Sequence, residues 1–165
     1  MDIVLLIFLI LLNGVLAMSE IAVVSSRKSR LQKLADDGSP GAKTALRLNE
    51  EPSSFLSTVQ VGITTVGILS GAIGENALAE PLANWLSGLP FMQPYAHGIA
   101  LSLVVIALTY FSVVVGELVP KRLGLLAPET VAAIIASPMT LLSRVTRPLV
   151  WLLSSSSTMI LKLIG

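Results

Sequence analysis

The sequence predicts an all-α membrane protein with three transmembrane helices and a belt of cytoplasmic juxtamembrane helices. Composition is the first reason: of 165 residues, 53% are hydrophobic and 13% are charged, which is more apolar than a soluble domain of this size requires. The second reason is that three apolar stretches are long enough to cross a bilayer, which takes ~20 helical residues. They cover roughly residues 3–25, 55–73 and 98–117.

The same composition argues against several classes of function. The chain has no cysteine and a single histidine, His97, so a disulfide scaffold, a thiolate metal site and an imidazole cluster are excluded. No pair of nucleophile and base is recognisable, so the sequence indicates no enzyme. The net charge of +1 provides no basic excess for binding nucleic acid.

The first apolar stretch is interpreted as a retained transmembrane helix rather than a signal peptide. A signal peptide needs a basic start and a short apolar core, whereas the only early charge here is Asp2. The apolar run is also too long, and its only interruptions are Asn13, Gly14, Ser19 and Glu20.

The distribution of basic residues predicts the orientation in the membrane. All 11 lysines and arginines lie either between the first and second stretches or after the third, and residues 74–97 contain none. Basic residues are enriched on the cytoplasmic side of membrane proteins. The N-terminus is therefore predicted outside and the C-terminus inside.

Two regions on the predicted cytoplasmic side are expected to form juxtamembrane helices. Residues 27–51 carry leucines at helical spacing on both sides of Gly38–Pro40, which predicts two short helices. The apolar region 131–164 is interrupted by Pro138, Arg144, Arg147 and Pro148. These interruptions favour broken helices at the membrane surface, although a fourth span stays an alternative.

Each predicted span carries a face of small or polar residues. In the first span Asn13 and Glu20 lie seven residues apart, with Ser19 beside them. Stripes at helical spacing follow in the second span (Gln60, Thr64, Gly67, Gly71, Gly74) and in the third (Ser102, Thr109, Ser112, Gly116). Small residues at this spacing also allow transmembrane helices to pack closely, so packing is the alternative interpretation for each glycine.

Two carboxylates, Glu20 and Glu117, lie near the predicted cytoplasmic ends of their spans. They make these faces candidates for a binding site. A charge inside a span is costly, so it is usually functional. The alternative for Glu20 is an ion pair with Arg27 or Lys28, and the alternative for Glu117 is an ion pair with Lys121, four residues later.

Pro120 is expected to interrupt the third span beside Glu117. Its ring opposes the carbonyl of Gly116 and it has no N–H, which predicts a break or kink there. A carboxylate near freed carbonyls and hydroxyls would form an oxygen-rich cation site. Such ligands suit magnesium, calcium, manganese or sodium.

Three motifs resemble the DUF21 transmembrane domain of the CorC/cyclin-M (CNNM) magnesium transporters. They are "LAMSEIAVVSSRKSRLQKLADDG", "TVQVGITTVGILSGAIGE" and "VVVGELVPKRLGL", and they occur in the order of that family. The resemblance implies a multi-pass protein of a bacterial or archaeal plasma membrane, surrounded by lipid and forming a homodimer. It also implies export of Mg²⁺ from the cytoplasm by alternating access, coupled to Na⁺.

The resemblance also implies a set of ion ligands. The hydroxyls, carbonyls and carboxylate that would hold a dehydrated ion belong to Ser19, Gly67, Ser70, Gly71 and Glu117. Supporting roles fall to Asn13, Glu20, Thr64, Ser112, Gly116 and Pro120. The chain departs from the family at Ile63 and Gly67, where many relatives carry asparagine. This departure indicates either backbone instead of amide coordination in the second span or a different ion preference.

The resemblance predicts a transmembrane domain over residues 1–153, with juxtamembrane helices at about 27–51 and 128–153. Residues 154–165 are expected to begin a linker toward CBS-pair and CorC/HlyC domains that this chain does not contain. The alternative function is a non-transporting, membrane-anchored dimerisation or regulatory module, in which the glycine stripes only drive association.

Overall fold

The computed structural model describes residues 1–50, 52–89 and 91–164, and all regular structure in these ranges is helical. Two π-helical segments, Glu75–Ala79 and Val114–Leu118, connect α-helices within these ranges. The α-helices are α1 Asp2–Ser25, α2 Lys28–Asp36, α3 Pro40–Glu50, α4 Pro52–Gly74, α5 Glu80–Ser87, α6 Ala96–Val113, α7 Val119–Leu126 and α8 Pro128–Ile164.

Within the described residues, three continuous helical stretches are long and apolar enough to cross a membrane. They are Asp2–Ser25, Pro52–Ser87 and Ala96–Leu126, which confirms the three predicted spans. The second and third stretches are longer than predicted because each continues through a π-helical segment into a further α-helix. The orientation of the termini stays a prediction.

The chain divides into two compact units. The first contains Met1–Ala17 and Ile63–Pro120, and the second contains Met18–Gly62 and Lys121–Gly165. In the first unit, α5 packs on α6 through a small apolar cluster. Its buried members are Ala83, Leu86, Ala96 and Ala100.

The second unit contains the two predicted juxtamembrane helices α2 and α3. The turn between them is made by Gly38, whose φ of 95° lies in the left-handed region that favours glycine. Ser39 then caps α3, because its Oγ accepts a 3.3 Å hydrogen bond from the N–H of Ala42. Leu31 and Ala45 are fully buried, so each helix contributes an apolar face.

The prediction of broken helices after residue 131 was wrong, because α8 continues from Pro128 to Ile164 with both prolines inside it. A proline removes one backbone donor and frees the carbonyl four residues earlier. The freed carbonyls here belong to Ile134 and Arg144, which are exposed like Pro138 and Pro148. A helix continues past a proline where water or another donor satisfies the freed carbonyl, so a proline does not require the helix to end.

Candidate functional site

At Pro120, where a break or kink was predicted, the helix contains a π-helical segment. Residues Val114–Leu118 form this segment, and α7 continues beyond it to Leu126. Pro120 cannot donate to the carbonyl of Gly116, and the Nδ2 of Asn13 supplies the missing donor over 3.0 Å. The freed backbone group is thus satisfied by a side chain of α1, as is required of backbone within a membrane.

Glycines allow α1 to approach this segment closely. A Cβ on Gly116 would lie 3.2 Å from the carbonyl oxygen of Ile10, and a Cβ on Gly14 would lie 2.9 Å from Cγ of Pro120. Gly14 and Gly116 therefore serve close helix packing, since both face a neighbouring helix.

The Oδ1 of Asn13 is buried and has no hydrogen-bond partner among the described residues.

Glu117 lies on the π-helical segment and is partly buried. Single π-helical turns within α-helices occur frequently at functional sites. Here the irregular turn places a carboxylate at the end of an apolar helix, next to the residue whose carbonyl Asn13 binds. Glu117 is therefore held on a defined backbone rather than on a frayed helix end.

The second span borders a cavity of about 460 Å³ in the first unit. Three predicted ligand residues, Gly67, Ser70 and Gly71, line it, as does the predicted supporting residue Ser112. Ser70 is buried, whereas a Cβ on Gly67 or Gly71 would meet no atom within 4 Å. Within this chain these two glycines are open to the cavity instead of serving helix packing.

The structure adds Glu75 to this cavity, a residue of the segment 74–97 that contains no lysine or arginine. Glu75 lies four residues after Gly71 and begins the π-helical segment that follows α4. Its spacing from Gly67 and Gly71 is the signal that could have identified it, since helical residues four apart share a face. Glu117 and Thr64 are not among the residues that line the cavity.

In the second unit, Glu20 forms an ion pair with Lys121 at 3.5 Å. Its partner is therefore neither of the predicted alternatives, Arg27 and Lys28. Ser19 beside it is completely buried. A Cβ on Gly124 would lie 2.9 Å from the carbonyl oxygen of Met18, so α7 passes close to α1 here.

Residues 1–50, 52–89 and 91–164 contain no group of three or more histidine, cysteine, aspartate or glutamate side chains that could hold a metal ion. A metal bound by these residues would therefore depend on hydroxyl and backbone carbonyl oxygens with few carboxylates. Such a ligand set would suit a hard cation, and a cation site stays a prediction.

A comparison with known families identifies the chain. The model of the cyclin M transmembrane N-terminal domain matches residues 4–165. The chain belongs to this family. The predicted resemblance is confirmed, and together with the three apolar helices it makes the cyclin M domain described here a membrane protein.

Relatives of this cyclin M domain are longer proteins. A UPF0053 protein of Synechocystis is 49% identical over 157 residues, which are 95% of this chain and 35% of the relative. The polyamine export protein of Salmonella typhimurium is 35% identical over 155 residues, covering 94% of this chain and 34% of the relative. The polyamine export protein of Haemophilus influenzae is 34% identical over 158 residues. The chain thus spans about a third of the length of these relatives.

Proposed function

We propose that this cyclin M domain exports a small cation across a bacterial or archaeal plasma membrane, and that Mg²⁺ is its cargo. The observation that carries the proposal is Glu117 on the π-helical segment of an apolar, membrane-length helix. An ionisable residue at such a position is by default a functional group, because its insertion is costly. Export by relatives that are named polyamine export proteins supports the direction.

The proposed Mg²⁺ ligands combine one carboxylate with neutral oxygens. Glu117 supplies the charge, and Ser70 supplies a hydroxyl. Gly67 and Gly71 expose their backbone to a cavity without a side chain in the way. Mg²⁺ requires near-octahedral oxygen ligands at about 2.0–2.1 Å and releases its water reluctantly. Entry of Na⁺ down its gradient is the proposed source of the free energy for export.

A second candidate cargo is a polyamine. The cavity in the first unit is lined mainly by aliphatic side chains, among them Leu101, Val104 and Leu108, with Glu75 as its carboxylate. Such a lining suits a methylene chain that ends in an ammonium group, since apolar walls with a few polar groups typify small-molecule sites. The names of two relatives given above add independent support to this candidate.

Thermal-shift titrations distinguish the two cargoes, because a ligand that binds the folded state raises its apparent stability. The purified chain would be titrated with MgCl₂ and with spermidine, alongside Glu117→Gln and Glu75→Gln. Glu80→Gln is the matched control, since Glu80 is exposed and does not line the cavity. For Mg²⁺ as cargo, we expect stabilisation by MgCl₂ that Glu117→Gln loses and the control retains.

For a polyamine as cargo, spermidine would stabilise the wild type and Glu75→Gln would lose that effect. Flux in proteoliposomes with and without a Na⁺ gradient then tests export and its coupling. Absence of binding and of flux for both cations would contradict the proposal. That result would favour a membrane-anchored homodimeric module, which size measurement in detergent would examine.

A further inference from the structure

A polar cavity of about 370 Å³ lies between α4 and α8 in the second unit. None of the residues predicted to form the cation site lines this cavity. Hydroxyl-bearing and basic side chains dominate its wall. The lining residues are Ser54, Thr58, Thr140, Ser143, Arg144, Arg147 and Val150.

Two arginines give this cavity its charge. Arg144 and Arg147 are three residues apart on α8, so they project from the same side of the helix. Among the described lining residues there is no carboxylate, and neither arginine has an ion-pair partner within residues 1–50, 52–89 and 91–164. Elsewhere in this unit Arg30 and Lys121 are each paired with a glutamate.

The hydroxyls form a fixed wall beside the arginines. Thr58 is 2% exposed, and its Oγ1 lies 3.4 Å from Oγ of Ser143, which joins α4 to α8. Thr58 also donates a 3.0 Å hydrogen bond to the carbonyl of Ser54. Since one hydroxyl has one proton, Thr58 acts as an acceptor toward Ser143 when it bonds to Ser54. The cavity is thus supported by direct contact between its two helices.

These features fit a phosphate group. Guanidinium groups bind phosphate oxygens with two parallel hydrogen bonds. The hydroxyl protons of Thr58 and Thr140 are donated to the carbonyls of Ser54 and Ala136, so the two arginines are the donors on which phosphate binding rests. Ser54 lies in the first turn of the second membrane-length helix, on the side that carries the basic residues. Phosphate groups of lipids occur at this level of a membrane, and soluble phosphates reach it from the predicted cytoplasm.

We propose that Arg144 and Arg147 bind a phosphate group in this cavity, carried by an anionic phospholipid or by a soluble phosphate. The site is separate from the proposed cation site, since no ligand residue of that site lines it. Bound phosphate bridges α4 and α8 and stabilises the second unit.

The test compares the wild type with the double variant Arg144→Gln/Arg147→Gln. Its matched control is Arg47→Gln/Arg122→Gln, which removes the same charge from two exposed arginines outside the cavity. One arm measures retention of phosphatidylglycerol against a phosphatidylcholine background by native mass spectrometry. The other arm measures the thermal shift with inorganic phosphate in detergent.

We expect the cavity variant to lose on the order of tenfold in apparent affinity while the control stays close to the wild type. Binding of phosphatidylglycerol alone identifies a lipid headgroup, and binding of inorganic phosphate identifies a soluble ligand. The proposal fails if neither probe binds the wild type, or if the control loses as much affinity as the cavity variant.

A second variant keeps the test informative if the glutamine pair does not fold. Arg144→Lys/Arg147→Lys retains both charges but lacks the planar donor fork. Its apparent affinity for the probe that binds the wild type should fall severalfold. Unchanged affinity in this variant would overturn the assignment of the two guanidinium groups to a phosphate site.

Discussion

The side-chain amide of Asn13 donates a 3.0 Å hydrogen bond to the carbonyl of Gly116, 103 residues later in the chain. Pro120 leaves this carbonyl without its helical donor. A side chain of one membrane-length helix thus satisfies a backbone group of another. It also anchors the π-helical segment that carries Glu117. The irregular turn is therefore stabilised from the neighbouring helix.

Replacement of Asn13 by leucine should destabilise the protein. The substitution retains similar volume but leaves the carbonyl of Gly116 unpaired, which costs about 1–3 kcal/mol. Thermal unfolding in detergent measures the effect. Asn76→Leu is the control, because the amide of Asn76 is exposed and its contact with Ala72 is 3.4 Å long. Equal loss in both variants would contradict the role assigned to Asn13.

Replacement of Gly41 by alanine should separate α3 from α8. The added Cβ would overlap the backbone carbonyl of Ala133, which cannot move independently of its helix. Overpacking of this kind costs about 1–3 kcal/mol. In Gly98→Ala the new Cβ meets nothing within 4 Å, so that control should unfold at or above the wild-type temperature. Equal unfolding temperatures for the two variants would show that α3 and α8 do not approach as described.

Replacement of Glu129 by alanine should loosen the start of α2. Glu129 is 8% exposed, accepts a 3.2 Å hydrogen bond from the backbone N–H of Arg27, and lies 3.9 Å from the guanidinium of Arg30. Loss of the acceptor should cost about 1–3 kcal/mol. Glu129→Gln retains an acceptor, and Arg30 is largely exposed, so that variant should lose less than about 1 kcal/mol.

Hydrogen exchange of the amides of α2 would report the Glu129 effect locally. Faster exchange in Glu129→Ala but not in an exposed control, Glu50→Ala, is the expected result. Protection that is unchanged in both variants would assign the N–H of Arg27 to another acceptor.

Replacement of Gly67 or Gly71 by alanine should leave the stability of the isolated chain nearly unchanged. No atom lies within 4 Å of either added Cβ, while the new methyl group enters the cavity beside Ser70. We therefore expect lower cation flux in proteoliposomes with normal unfolding temperature. If these glycines instead pack against a second copy, the variants would shift the molecule from dimer to monomer in size-exclusion light scattering.

Hydropathy and local signals predicted much of the fold. The three membrane helices follow from apolar length, and the pair α2 and α3 follows from leucine spacing around Gly38. The failures were also local. Pro138 and Pro148 were expected to interrupt helices, and both lie within α8. At Pro120, where a break or kink was expected, the α-helix gives way to a π-helical segment just before the proline. A proline signals one lost hydrogen bond, but its cost depends on whether water or a neighbouring side chain satisfies the freed carbonyl.

The sequence by itself determined the family, the membrane-length helices and the segregation of basic residues, because these depend on composition and order along one chain. Only the tertiary structure decided the partners of the polar groups. It paired Asn13 with Gly116 and Glu20 with Lys121, and it placed Glu75 in the cavity of Gly67. The physical reason is that such contacts depend on how helices approach and rotate, and hydropathy does not specify which of several polar side chains on a helix face will meet.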